Sequence, residues 1–139
     1  MELVIRKPAY YEQHYLVDNE VMIMYDFLMK DLSDKTYSLF VEHMDIVPVV
    51  APQSLLDQGL WEEEVMYSKS ISRVSVFKQI DFESYVNGDV ETRIHLIVES
   101  IIEAGKMVKK RRTTKFNAKE FEKDVLDSVE RFKKQYNLV

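Results

Sequence analysis

The chain has 139 residues, 46% hydrophobic and 31% charged, which is ordinary for one folded domain over residues 1–139 and too apolar for a disordered chain. Its net charge of −5 is divided unevenly, because residues 1–100 carry a formal charge of −10 and residues 101–139 carry +5. The acidic part favours a basic partner and argues against general nucleic-acid binding. The chain has no cysteine, no signal-peptide pattern and no apolar run near the ~20 residues that cross a bilayer. We therefore expect a cytoplasmic protein without disulfides and without a membrane partner.

The first part of the chain predicts a strand, a helix and a second extended region. Residues 1–7 alternate weakly and are closed by Pro8, which predicts a short first strand. Residues 10–32 carry apolar side chains at three- and four-residue steps, which predicts a helix. Residues 37–50 have the alternation and β-branched content of a strand. Because Pro48 cannot donate a ladder hydrogen bond, we expect this strand at a sheet edge or with an irregularity there.

Two further strands are predicted in the middle of the chain. We interpret residues 61–68 as a strand, with a helical turn from Ser54 onward as the alternative. Residues 72–82 give the clearest strand pattern, and Lys78 is the exception on its apolar face.

Two helices are predicted to complete the fold. The Asn-Gly-Asp turn at residues 87–89 begins a long amphipathic helix, in which Gly105 would allow close approach of a neighbour. Asn117 and Glu120 resemble a capping pair and begin the last helix. This order of elements predicts an α+β fold: an antiparallel β-sheet with an N-terminal helix and two C-terminal helices packed against it.

The sequence contains little that indicates catalysis or cofactor binding. His14, His43 and His95 are far apart and lack the spacing of metal ligands, so no metal site is expected. Three glycines in the whole chain nearly exclude a phosphate-binding loop, and no cofactor is predicted. The basic run at residues 109–115 could contact nucleic acid, but a solvated loop between two helices is the simpler interpretation.

The densest acidic cluster is Glu62-Glu63-Glu64, beside Trp61. Consecutive side chains on a strand point to opposite faces, so these glutamates make a poor acid–base pair. One interpretation is a charged strand that resists aggregation. The other is an acidic patch with an aromatic anchor for a basic partner.

Several segments form a characteristic order along nearly the whole chain. They are the opening strand, the long helix and the segments IVPVV (46–50), EVMYSK (64–69), IDF (80–82), LIVESII (96–102) and FNAKEFEKDVL (116–126). In this order they resemble the Immunity protein 44 family of bacterial polymorphic-toxin systems. Lys78 departs from the pattern, because such proteins tend to have an apolar residue two before the Ile-Asp pair.

This resemblance implies a cytoplasmic, non-enzymatic protein that binds and neutralises a cognate protein toxin. Many toxins of such systems are nucleases with basic clefts, to which an acidic inhibitor surface is complementary. The resulting hypothesis for the toxin-binding residues comprises Asp57, Trp61, Glu62, Glu63 and Glu64.

Two other function classes remain open at this point. One is a small hydrolase in which His43 converges with Glu63 or Glu64 in a pocket. The other is a nucleic-acid adaptor that uses residues 109–115. The sequence leaves both a monomer and a homodimer open.

Overall fold

The computed structural model describes residues 1–7, 9–10, 18–59 and 62–136. The strands within these residues are β1 (Glu2–Ile5), β2 (Ala9–Tyr10), β3 (His43–Val50), β4 (Glu64–Ser68) and β5 (Arg73–Gln79). The α-helices within them are α1 (Asn19–Leu32), α2 (Gln53–Leu56), α3 (Phe82–Asn87), α4 (Val90–Lys110) and α5 (Ala118–Gln135). None of these helices combines the length and the apolar character that a bilayer-spanning helix requires.

The strands form one mixed sheet in the order β1-β3-β5-β4, and β2 pairs with β3. β1, β2 and β5 run parallel to β3, and only β4 is antiparallel to its neighbour β5. The α+β class is thus confirmed, whereas the strand directions differ from the antiparallel arrangement that we expected. The difference arises because α1 carries the chain back to the starting end of the sheet, which makes β3 parallel to β1.

Pro48 lies in the central strand of this sheet and not at an edge. β3 pairs with β1 as far as Ile46, and its pairing with β2 resumes at Val49. Pro48 therefore lies where the pairing on that side of β3 is interrupted, so its missing N–H removes no bond from a continuous ladder. Of the two predicted arrangements, the irregularity is the one observed.

The hydrophobic core lies on one face of the sheet, between the strands and the long helices. α1 and α4 contact the strands, and α5 packs on α1 and α4. Strand residues of this face alternate with residues of the opposite face, as the pleat requires. The strand residues of the core are Leu3, Ile5, Met44, Ile46, Val50, Val74 and Val76.

The segment at residues 37–42, predicted as extended, precedes the strand as a loop. Tyr37 is buried here against the rings of Phe116 and Phe121, and its hydroxyl donates to Asp124 at 2.6 Å. Burial and the Asp124 carboxylate raise the pKa of the Tyr37 hydroxyl. Of the alternating apolar residues of this segment, Tyr37 and Val41 are buried and fix the loop on the core, whereas Leu39 is exposed.

Candidate interaction surface

A cleft lies at the carboxyl ends of the parallel strands β3 and β5. Both strands turn there into helices, since α2 begins after Pro52 and α3 begins after Asp81. The cleft has a volume of about 390 Å³, and its lining includes Leu56, Glu63 and Phe82. The carboxyl edge of parallel strands is the usual place for ligands in open α/β sheets.

Two further grooves continue from this cleft. The second, of about 260 Å³, lies between β5 and α4 and shares Asp81 with the first. The third, of about 470 Å³, lies between α4 and α5 and shares Glu99 and Glu103 with the second. The three concavities therefore form one continuous path, which we call the acidic track after its carboxylates: Glu63, Asp81, Glu83, Glu99, Glu103 and Glu122.

Two lysines offset part of the charge of the acidic track. Lys78 contacts Glu63 at 2.5 Å, and Lys106 contacts Glu103 at 3.1 Å. Six carboxylates against two lysines leave a formal charge of −4 with His95 neutral. Lys78, the apparent exception on the apolar face of its strand, is thus accommodated by an ion pair at the end of the sheet.

Hydrogen bonds favour the charged forms of two side chains of the track. The hydroxyl and amide of Ser84 both donate to Asp81 and lower the pKa of its carboxyl. The hydrogen bond and the charge of Glu103 raise the pKa of the Lys106 ammonium. Within the described part of the chain, no salt bridge neutralises Asp81, Glu83 or Glu122. The net negative charge of the arrangement attracts cationic groups.

Four of the five sequence-predicted binding residues lie in the described part of the chain, in or next to segments that line the first cleft. Glu63 lines it, and Glu62 is exposed next to Gly59. Asp57 is exposed at the end of α2, where it accepts a hydrogen bond from Gln53 at 2.9 Å. Glu64 is exposed on β4, opposite Phe77 in the register, and does not line the cleft.

Trp61, the proposed aromatic anchor, lies outside the described residues.

The sequence hypothesis missed most of the track, because Glu99 and Glu103 have the pattern of an ordinary solvated helix face. Their i, i+4 spacing does put both carboxylates on one stripe. What the sequence did not show was that α5 and β5 turn this stripe into the wall of two grooves.

The groups required for the hydrolase alternative are far apart. His43 pairs with Arg73 in the register, whereas Glu64 pairs with Phe77. Arg73 and Phe77 are four residues apart along β5, so His43 and Glu64 are separated by about 13 Å along the strand direction at ~3.3 Å per residue. His43 instead lies 3.3 Å from Glu2. Among the described residues, no group of three His, Asp or Glu side chains could hold a metal ion.

Comparison with known families agrees with the resemblance seen in the sequence. A family model described as Immunity protein 44 matches residues 1–131. The chain belongs to the Immunity protein 44 family. No curated protein and no solved structure gives a significant match. The Immunity protein 44 match extends from β1 into α5 and so includes every residue of the acidic track. Membership of an immunity-protein family implies a toxin-neutralising role.

Proposed function

We propose that this protein is a non-enzymatic immunity protein that neutralises a cognate bacterial toxin in the cytoplasm by binding it directly. The toxin presents a basic surface, such as the substrate cleft of a nuclease, to the acidic track. The observation that carries this proposal is the continuity of three grooves that together hold six carboxylates and only two lysines.

Electrostatics of this kind act mainly on the rate of encounter. An exposed ion pair contributes only about 0–1 kcal/mol to stability, whereas steering by a charged concave surface raises association rates by roughly 10–10³-fold. The acidic track should therefore make association fast and strongly dependent on salt.

Affinity requires apolar contacts in addition to charge, because buried apolar anchors dominate most interfaces. The track provides such side chains at each of its two ends. Phe82 is half-buried in the first cleft, and Leu126 is 48% exposed in the third. We infer that both become buried in the complex, together with the exposed carboxylates Asp57, Glu62 and Glu64 and the neighbouring Trp61.

The first test uses the toxin domain that the proposal expects to be encoded beside the gene of this protein. Co-purification in a fixed ratio and loss of toxin activity at that ratio are expected. The association rate measured by stopped flow should fall as salt rises from low concentration to about 0.5 M, where the Debye length is shorter than ~5 Å. An association rate that does not change with salt contradicts the electrostatic part of the proposal.

The second test compares two charge reversals of equal size. Glu99→Lys with Glu122→Lys changes the track, whereas Asp26→Lys with Asp127→Lys changes carboxylates on α1 and α5 that line none of the three grooves. The track variant should associate at least about tenfold more slowly at low salt, and the control should change little. Equal effects of the two variants would show that only net charge matters and would remove the track from the interface.

A third variant tests the sequence hypothesis separately. Glu62→Lys with Glu64→Lys leaves the Glu63–Lys78 pair intact, so that the end of the sheet keeps its ion pair. A slower association would indicate that the interface extends from the first cleft onto β4. An unchanged association rate would indicate that the interface is limited to the three grooves.

A further inference from the structure

The end of the molecule opposite the first cleft has a different character. It comprises residues 34–42, 69–72 and 109–120, which we call the basic tip. Hydrogen bonds hold these segments together: the Glu42 amide donates to the Ser72 carbonyl at 2.8 Å, and the Asn117 amide donates to the Tyr37 carbonyl at 2.8 Å. The basic tip is therefore one connected surface, although its three segments are distant in the sequence.

The charge of the basic tip is opposite to that of the whole chain. Its eight cationic residues exceed its three anionic residues, so its formal charge is +5 in a chain of −5. The anionic members are Asp34, Glu42 and Glu120, and the cationic members are Lys35, Lys69, Lys109, Lys110, Arg111, Arg112, Lys115 and Lys119.

Large apolar side chains project from the same surface. Leu39 is 86% exposed, Ile71 is 58% exposed and Phe40 is 39% exposed. The loop that carries Leu39 is fixed on both sides, because Tyr37 and Val41 are buried in the core. The fold thus holds Leu39 outward, although burying a leucine would stabilise the protein.

We propose that the basic tip binds the surface of an anionic lipid bilayer. Lysine and arginine side chains are attracted to anionic headgroups, and projecting apolar side chains insert between them. A bilayer yields to projecting side chains and needs no groove to receive them. This peripheral contact is distinct from membrane spanning, and it differs from the sequence expectation of no membrane partner because the exposure of Leu39 and Ile71 appears only in the fold.

Nucleic acid fits the same surface less well. Proteins that bind single strands stack bases on exposed aromatic faces. At the basic tip the Lys115 ammonium already lies 5.4 Å from the centre of the Phe40 ring. Leu39 and Ile71 offer no flat face for stacking, and projecting aliphatic side chains gain nothing from a phosphate backbone.

The negative charge of the rest of the molecule does not prevent this contact. Glu99 and Lys110 are eleven residues apart on α4, or about 16 Å at ~1.5 Å per residue. The Debye length at physiological salt is about 8 Å, so repulsion between the bilayer and track carboxylates at the level of Glu99 is largely screened, whereas Glu122 lies only three residues from Lys119 on α5 and offsets part of the attraction. The attraction between the cations of the basic tip and the anionic headgroups is not screened to this extent, because in the proposed contact these cations lie within about 8 Å of the bilayer.

The test is vesicle flotation with the full chain at about 0.15 M salt, the concentration used for the screening argument. Vesicles of phosphatidylglycerol with phosphatidylcholine should carry the protein upward, and vesicles of pure phosphatidylcholine should not. Arg111→Gln with Arg112→Gln should reduce partitioning roughly tenfold or more, since each cation near an anionic surface contributes about a factor of five. Leu39→Ser with Ile71→Ser should also reduce it.

Matched controls separate the tip from general surface effects. Lys133→Gln with Lys134→Gln removes two cations at the far end of α5, and Met66→Ser with Val86→Ser removes two exposed apolar side chains elsewhere. Both controls should float like the original chain, and circular dichroism should show that every variant is folded.

Three results would overturn the proposal. One is no flotation with anionic vesicles, and another is equal loss in the tip and control variants. The third is retention of an RNA or DNA oligonucleotide that needs Arg111 and Arg112 but not Leu39 and Ile71, which would assign the tip to nucleic acid.

Discussion

The absence of a side chain at Gly105 sets the distance between α4 and α5. A Cβ placed there would lie 2.6 Å from the Phe121 ring, closer than packed atoms allow. That ring is fully buried and held in contact with the rings of Tyr37 and Phe116. Gly105→Ala should therefore destabilise the protein by on the order of 1 kcal/mol, because overpacking of about 1–3 kcal/mol exceeds the gain in helix propensity of about 1 kcal/mol.

Urea denaturation of a double-mutant cycle checks this explanation. In a Phe121→Leu background the smaller side chain leaves room for a methyl group, so Gly105→Ala should then be neutral or stabilising. The same penalty in both backgrounds would show that Phe121 is not the cause.

Arg93 and Asp18 join the first turns of α4 and α1. The guanidinium donates two bonds to the carboxylate, at 2.7 and 3.0 Å, and both side chains are nearly buried. Asp18 precedes α1 but makes no side-chain capping bond to it. Arg93→Met should cost about 3 kcal/mol in urea denaturation, since it leaves a nearly buried carboxylate unpaired. Adding Asp18→Leu should recover part of that loss, and a loss from Arg93→Met below about 0.5 kcal/mol would contradict this assignment.

Two consecutive helices begin at capping aspartates, which makes their stability depend on pH. Asp81 accepts from the Ser84 amide and hydroxyl, Asp89 accepts from the Thr92 amide at 2.9 Å, and these bonds lower the pKa of both carboxyls. Because each folded-state pKa lies below the unfolded value of about 3.9, the stabilisation is complete above that pH and is lost as pH falls through the folded-state pKa.

Asp81→Asn with Asp89→Asn should keep most of the stability at neutral pH, since asparagine also caps helices well, and should flatten the loss of stability in acid. Thermal unfolding followed by circular dichroism between neutral pH and about pH 2.5 measures this slope around the unfolded-state pKa. Ser84→Ala, which removes one donor to Asp81, should give an intermediate slope. A double variant with the original slope would show that the acid sensitivity has another origin.

At the level of elements, the local sequence pattern predicted the helices and strands better than it predicted the topology of the sheet. The helical periodicity of α4 and α5 corresponds to the observed helices, because one face of each is buried. The strand pattern of residues 72–82 corresponds to β5 only as far as Gln79, and Phe82 begins α3. Strand direction depends on which strands become neighbours, and that is settled by the crossover through α1. Pro48 indicated either a sheet edge or an irregularity, and the break between β1 and β2 is that irregularity, beside a central strand.

The candidate surface was less predictable for a related reason. Adjacent glutamates at residues 62–64 are visible as a cluster in the sequence, whereas Asp81, Glu99 and Glu122 meet only when β5, α4 and α5 pack together. The same holds for the basic tip, where Leu39 and Ile71 become exposed neighbours of a basic turn only in the fold. Surfaces made from several elements leave no local pattern.

The charge division of the whole molecule predicts that its two ends act independently on toxin binding. Arg111→Gln with Arg112→Gln changes the net charge from −5 to −7 but lies more than a Debye length of about 8 Å from Glu99. At physiological salt this variant should bind the toxin at an equal or slightly higher rate, within about twofold, because the added negative charge complements a basic partner only weakly at that distance. Stopped-flow measurements at low and high salt should show the two rates converging as screening increases. A slower association of this variant would instead bring the basic tip into the toxin interface, and the two ends would then have to contact one partner together.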